Sequence, residues 1–312
     1  MRADLLHVVA CVANPIRWQS RISLAKQFIE NMLASGVNLT IVECAYGGRD
    51  FELGEDPRYR HVKVRANGAE LVWNKECLWT IGLEHLPPEA EYICFWDADI
   101  IRCRNPNWAE DTVHQLQHYP VVMPWSDCID LGPNGELLET HTALFKLFRE
   151  GRPIVQGPNV GQVAYKFGHP GYGVAFTRRA LDDLGGLIVT APLGSADHHM
   201  GMALLHRVDD SIPRAMTPAY KAPMRAWQAR AQRYIRKAVS FVPNVIEHGF
   251  HGTKVSRGYI PRWDILIRHH FDPVWDLRWN SYGVVQLAGN KAELRHAVDL
   301  YFRQRNEDVN SV

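Results

Sequence analysis

The sequence predicts an α/β fold, a mostly parallel sheet flanked by helices, with a helical extension at its C-terminal end. Three observations carry that expectation. Apolar, β-branched runs at 5–12 and 37–44 enclose a segment of helical period, the strand–helix–strand pattern of a parallel unit. A further apolar run at 92–96 is bounded by Pro87-Pro88 and Asn105-Pro106, which suits a buried strand better than a helix. At 312 residues the chain is long enough for one large core with appendages.

The run 5–12 stops at Ala13-Asn14-Pro15 and opens a loop. Ser20 is placed to cap a helix to about residue 35, with Ile22, Leu24, Ala25, Phe28, Ile29 and Met32 at helical spacing and Gly36 closing it. The strand 37–44 leads into the loop 45–49, and a helix is expected over 71–86, entered through Trp73-Asn74-Lys75-Glu76. Beyond the strand 92–96, 113–119 reads as helical, 120–125 as a short apolar run, 130–137 as a turn and 140–150 as helical. Residues 155–167, polar and Gly-rich, form a loop. A strand at 171–176 passes through Thr177, as cap, into a helix at 178–184 that stops at Gly185-Gly186. Asp197, His198 and His199 open the next helix, 200–206. The span 211–246 has no acidic residue and seven cations: Arg214, Lys221, Arg225, Arg230, Arg233, Arg236 and Lys237. Its later part, 223–239, can form one basic helix. An apolar stretch follows at 241–246, and the tail, 290–306, predicts a polar helix with Leu294, Ala297, Val298 and Tyr301 on one side. The expected organisation is one domain over 1–260, with a basic helical insertion at about 211–240 and an extension over 261–312 packed on it.

A hydrophobic content of 46%, a charged content of 22% and a net charge of +1 suit a soluble globular protein. They supply no global field toward nucleic acid or membrane. The six cysteines form no C-x-x-C pair and sit mostly in apolar runs, as reduced core thiols of a cytoplasmic protein do. The apolar start is too short for a membrane span and lacks a cleavage site, so no membrane partner is expected.

Asp97 and Asp99 carry the first chemical signal. In an extended segment, residues two apart point to one face, so both carboxylates reach one spot past the strand's end. Carboxylates that close repel unless a cation separates them, and a divalent metal is the usual one. His248 and His251, three apart, offer an imidazole as a further ligand, and Lys254 and Arg257 can neutralise phosphates in the same Gly-containing loop. The other reading of that loop is a surface turn with incidental histidines. Asp197, at a helix start, is either a capping residue or a general base that takes a proton from an acceptor hydroxyl. The backbone of Gly171, Tyr172 and Gly173 lets a sugar approach closely. Ligands of a parallel unit bind past the carboxyl ends of its strands, where Asn14, Arg17 and Glu43 lie. No G-x-G-x-x-G follows the first strand, which counts against a dinucleotide enzyme. No G-x-G-x-R-type phosphate loop follows it either, which counts against a nucleotidyltransferase. A sugar-nucleotide-binding protein without catalysis would leave Asp97 and Asp99 dispensable.

The order of these features over about 5–260 resembles the GT-A glycosyltransferases: a strand and loop, Asp-x-Asp near one third, a Gly-Tyr-Gly strand, a small-residue-Asp-His turn and a late His-Gly-basic loop. That resemblance implies a Rossmann-like GT-A fold, a nucleotide-sugar donor (UDP-linked) and Mn²⁺ or Mg²⁺. It makes Asp97 and Asp99 the DxD pair and Asp197 the acid of the ED-type motif. It also makes His251 the late metal ligand, ahead of His248, and places Asn14, Arg17, Glu43 and Lys75 in the nucleoside-reading loops. The departure is His198, which stands where the second acid of the ED-type motif is expected. The signature of His251, Gly252, Arg257, Gly258, Tyr259, Arg262, Ile265, Leu266, Phe271, Asp272 and Pro273, with WNKE and DADI, is similar to glycosyltransferase-like proteins of tailed phages and some bacteria. Some of those attach sugars to hydroxymethylpyrimidines, which implies double-stranded DNA as acceptor. Arg225, Arg230, Arg233, Arg236 and Lys237 would then hold its phosphates, the other reading being a solvated helix face. The alternative acceptors are a polysaccharide, a lipid-linked sugar or a protein.

Overall fold

The computed structural model describes residues 2–155, 168–258 and 261–309. Residues 156–167 of the expected loop, and Tyr259 of the signature, lie outside the described residues. In chain order come β1 (Leu6–Ala13), α1 (Gln19–Ala34), β2 (Asn38–Tyr46), β3 (Arg60–Ala66), α2 (Lys75–Glu84), β4 (Tyr92–Asp97) and β5 (Ile100–Cys103). Next are α3 (Trp108–Leu116), β6 (Val121–Met123), β7 (Asp127–Leu131), β8 (Leu137–Thr142), α4 (Leu144–Arg149), β9 (Gly173–Thr177), α5 (Arg178–Leu184) and α6 (Ala196–Leu204). The remainder are α7 (Pro218–Arg230), β10 (Val239–Phe241), β11 (Val245–His248), α8 (Pro261–Arg268), α9 (Pro273–Asp276), β12 (Leu277–Trp279), β13 (Val285–Leu287) and α10 (Ala292–Gln304).

The fold is mixed α/β. Its central sheet has seven strands in the order β10-β6-β9-β4-β1-β2-β3. All neighbours pair in parallel except β9, which is antiparallel to both β4 and β6. Parallel strands covered on both faces read as continuous apolar runs. Accordingly Val8, Val9 and Ala10 of β1 and Ile93 to Trp96 of β4 are all buried. A second sheet, β5-β11-β7-β8, stands beside the first, and β12 pairs with β13 in a small hairpin. Among the described residues no helix is long and apolar enough to cross a membrane. The six cysteines are unpaired.

Local signals translate well where they are complete. The α1 residues Leu24, Ala25, Phe28, Ile29 and Met32 form its buried face. Thr177 accepts a hydrogen bond from the Ala180 N–H, and Gly185 takes the left-handed conformation that ends α5.

Other expectations are corrected. Residues 140–150 split into the end of β8 and α4, because Thr140 and Thr142 pair across to β7 before the chain turns. β3 is a further strand that the apolar-run reading does not mark, because buried Val62, Val64 and Ala66 are separated by charged Lys63 and Arg65. The basic segment is not one helix over 223–239. It starts at Pro218 under a Thr217 cap, widens into a π turn at Ala231–Ile235, and ends where Arg236 and Lys237 take positive φ. Nor is Ser20 the cap of α1. The Asp308 carboxylate accepts from the Gln19 and Ser20 N–H groups, at 2.9 Å each.

Candidate active site

A cavity of about 700 Å³ opens at the carboxyl ends of β1, β2 and β4, where Cys11 to Ala13, Tyr46 and Asp97 line it. Parallel strands leave their ligand site at this end. Asp97 is the last residue of β4. Asp99 lies in the two-residue turn Ala98-Asp99 that hands the chain to the second sheet. A turn, not strand alternation, therefore brings both carboxylates to one cavity.

The two acids have different partners. Asp97 Oδ1 lies 2.9 Å from Lys75 Nζ, which also lies 3.3 Å from Asp197 Oδ2 and 3.7 Å from Glu76 Oε1. Burial lifts the Asp97 carboxyl to about 6 and Glu76 to about 7. Burial also opposes the charge on Asp197, but Lys75, His169 and the His198 N–H together hold that carboxyl below the usual range. Asp99 faces two imidazoles instead: its Oδ2 is 3.1 Å from His251 Nε2 and 3.6 Å from His248 Nε2, and the two nitrogens are 3.2 Å apart. Burial works against ionised Asp99, and His248 and His251 hold it well below the usual range.

These three residues fit a divalent cation. Two ligands about 2.1 Å from one ion stand roughly 3.0 to 3.4 Å apart at angles of 90° to 109°. The observed spacings of 3.1, 3.2 and 3.6 Å are close to that range. Asp99 Oδ1 is buried without a hydrogen-bond partner. Asp97 lies outside this group and pairs with Lys75. A second cluster, Asp130, Glu139 and His141, also lines the cavity, but Lys254 Nζ sits in it, 2.7 Å from Asp130 Oδ2 and 2.9 Å from His141 Nε2.

The remaining expected residues divide. Lys75, Tyr172, Asp197, Lys254 and Arg257 line the cavity. Gly171 and Gly173 do not line it but shape it. A Cβ at Gly171 would come 2.8 Å from Asp197 Oδ2, and one at Gly173 would come 2.5 Å from the Trp96 ring. Asn14 and Glu43 are buried away from the cavity and hold turns. Asn14 accepts from the Trp18 N–H and donates to its carbonyl, and Glu43 accepts from Leu53 N–H and lies 2.8 Å from His61 Nε2. Arg17 is exposed at positive φ and does not reach the cavity, whereas Arg21, one helical turn further on, does. The nucleic-acid residues Arg225, Arg230, Arg233, Arg236 and Lys237 are also absent from its lining. Arg225 pairs with Asp209, just upstream of the acid-free span, and Arg230 donates to the Leu184 carbonyl.

Sequence reading missed Arg21, Asp130, Glu139, His141, His169, Phe302, Arg305 and Glu307. Phe302 and Arg305 bring the C-terminal extension into the cavity wall. Glu307, 1% exposed, is gripped by Arg21 (2.6 and 2.9 Å) and Arg305 (2.6 Å). No local pattern marks a tail glutamate as part of a site.

No protein-family model and no curated protein matches the chain. Among solved structures it is similar to S. aureus TarS 1-349, at 9% identity and a TM-score of 0.42, over 86% of this chain and 65% of that one. It is also similar to the catalytic domain of Drosophila β1,4-galactosyltransferase 7 in complex with xylobiose, at 12% identity and a TM-score of 0.35, over 67% and 64%. A third is 4-diphosphocytidyl-2C-methyl-D-erythritol synthase from Anaerococcus prevotii, at 10% identity and a TM-score of 0.35, over 78% and 88%. The chain spans just under two thirds of the first two. At such distances the function has to be read from the site itself.

Proposed function

We propose that the protein is a metal-dependent glycosyltransferase that takes a sugar from a nucleotide-sugar donor, UDP-linked, and places it on a hydroxyl. The observation that carries this is the meeting of Asp99, His248 and His251 at a cavity past the parallel strands, with the Lys75–Asp197 pair on the same wall. Asp99, His248 and His251 would hold Mn²⁺ or Mg²⁺, which when bound neutralises the diphosphate of the donor. Asp197, kept ionised by Lys75, His169 and the His198 N–H, is placed on the cavity wall to accept the acceptor's proton. Lys254 and Arg257 add positive charge on the cavity wall.

The acceptor we favour is a 5-hydroxymethylpyrimidine in duplex DNA. What supports it is the residue signature alone, since the basic segment lies off the cavity. Arg233, Arg236 and Lys237 are exposed, so a DNA backbone could still be held at a distance from the chemistry.

The test is a panel of nucleotide sugars with Mn²⁺ and duplex DNA carrying 5-hydroxymethylcytosine or 5-hydroxymethyluracil, read by nucleoside mass. A hexose-sized or pentose-sized gain that disappears in Asp99→Asn, by about 100-fold or more in rate, is expected. Metal-dependent donor hydrolysis without transfer to DNA would keep the reaction and discard the acceptor in favour of a polysaccharide, lipid-linked sugar or protein. Pyrophosphate release from a nucleoside triphosphate, with no turnover of nucleotide sugars, would replace glycosyl transfer with nucleotidyl transfer. Donor binding that survives Asp99→Asn, without turnover by either protein, would leave a sugar-nucleotide-binding protein.

A further inference from the structure

We infer that Asp130 and Glu307 are positioning residues of the metal centre, each fixing one imidazole, and that Glu307 and its partner Arg305 in the C-terminal segment are therefore a working part of that centre. The inference rests on the metal-dependent reading and extends it to residues far away in the chain.

Both imidazoles turn Nε2 toward Asp99, and behind each stands one buried carboxylate. His248 Nδ1 is 3.1 Å from Asp130 Oδ1, and His251 Nδ1 is 3.3 Å from Glu307 Oε2, the latter pair within ion-pair distance but without an aligned hydrogen bond. A carboxylate there favours hydrogen on Nδ1 and leaves the Nε2 lone pair for an ion, and such outer partners set ring orientation and basicity. The two carboxylates are themselves immobilised. Asp130 Oδ1 accepts from the Tyr172 hydroxyl at 2.8 Å, while its Oδ2 faces His141 at 3.0 Å and Lys254 at 2.7 Å. Glu307 is fixed by Arg21 and Arg305. An isolated buried carboxylate is costly, and here each is compensated by cations or hydrogen-bond donors on its outer side. The Asp308 bonds to the start of α1 tie the segment to the body of the protein.

The experiment measures Mn²⁺ binding to the whole chain by the loss of the free-ion electron paramagnetic resonance signal, with no donor or acceptor present. Asp130→Asn and Glu307→Gln are each expected to weaken Mn²⁺ binding about 10- to 100-fold. Asp308→Asn, which loosens the same tail without touching an imidazole, should stay within about twofold. Binding by either positioning variant within twofold of the unaltered protein would overturn the inference for that residue. An Asp308→Asn loss as large as that of Glu307→Gln would reduce Glu307 to a structural tail contact. If a variant does not fold, nitrogen-15 histidine spectra of the unaltered protein loaded with Zn²⁺ decide. The geometry requires Nε2-bound, Nδ1-protonated His248 and His251, and ligation through Nδ1 would overturn it. Absence of any Mn²⁺ or Zn²⁺ binding by the unaltered protein would instead remove the metal-dependent function itself.

Discussion

Lys75 is the cation that three acids of the cavity share. Its own charge is favoured despite burial, because Asp97, Asp197 and Glu76 surround it. Two roles follow from that one ammonium. It pairs with Asp97, and with His169 and the His198 N–H it keeps Asp197 ionised where burial would protonate it. Lys75→Met is expected to raise the Asp197 pKa by about one to three units, the usual effect of a close opposite charge. The acid limb of the pH–rate profile then moves to higher pH. An acid limb that stays in place, measured as kcat/KM against pH, would show that Lys75 does not govern Asp197. Gly171 matters at the same scale, since only the absence of a side chain allows its backbone so near the Asp197 carboxylate.

At the scale of elements, the site depends on pieces that end abruptly. β4 stops at Asp97, a two-residue turn follows, and β5 joins a different sheet, so the Asp-x-Asp pair sits where two sheets part. α1 begins without a side-chain cap of its own and borrows Asp308 from the tail. Asp308→Ala should cost about 1 kcal/mol of stability, the usual worth of an N-terminal cap, seen as a thermal midpoint lower by a few degrees. An unchanged midpoint would mean that water satisfies those N–H groups equally well. The basic segment teaches the opposite lesson. Its charge count suggested one nucleic-acid face, but the helix breaks into a π turn and Arg225 and Arg230 are engaged locally.

For the whole molecule, burial of histidines sets an acid limit. Burial pushes His169 and His199 down to about 3 and His198 to about 4. His199 is held neutral between the Ser211 and Tyr220 hydroxyls, at 2.8 and 2.9 Å. In the unfolded chain these groups titrate near 6.5. Between about pH 6.5 and 4 the unfolded state therefore binds protons that the folded state does not. Stability present above pH 6.5 is lost on acidification, by up to about 1.4 kcal/mol per pH unit for each histidine proton, partly offset by the protons that Asp97 and Glu76 take up in the folded state over the same range. Denaturant unfolding at pH 7, 6 and 5 should show a falling midpoint, and a His199→Gln variant a shallower fall. Equal midpoints from pH 7 to 5 would sink the idea.

What the sequence determines by itself is local. Apolar runs mark β1 and β4, a threonine cap and a glycine stop bound α5, and Asp97 and Asp99 stand where a strand must end. Those signals live within a few residues, through backbone sterics, side-chain periodicity and short-range hydrogen bonds. Which groups face one another across the cavity was decided only by the tertiary structure. Asn14, Arg17 and Glu43 lie at the expected strand ends, yet the first and last turn inward to hold loops and the second points to solvent. Arg21, Asp130 and Glu307 enter the site from α1, the second sheet and the tail. Their partners lie tens to hundreds of residues away in the chain, and a pairing at that separation depends on how sheets and tail pack rather than on any pattern its own neighbours can carry.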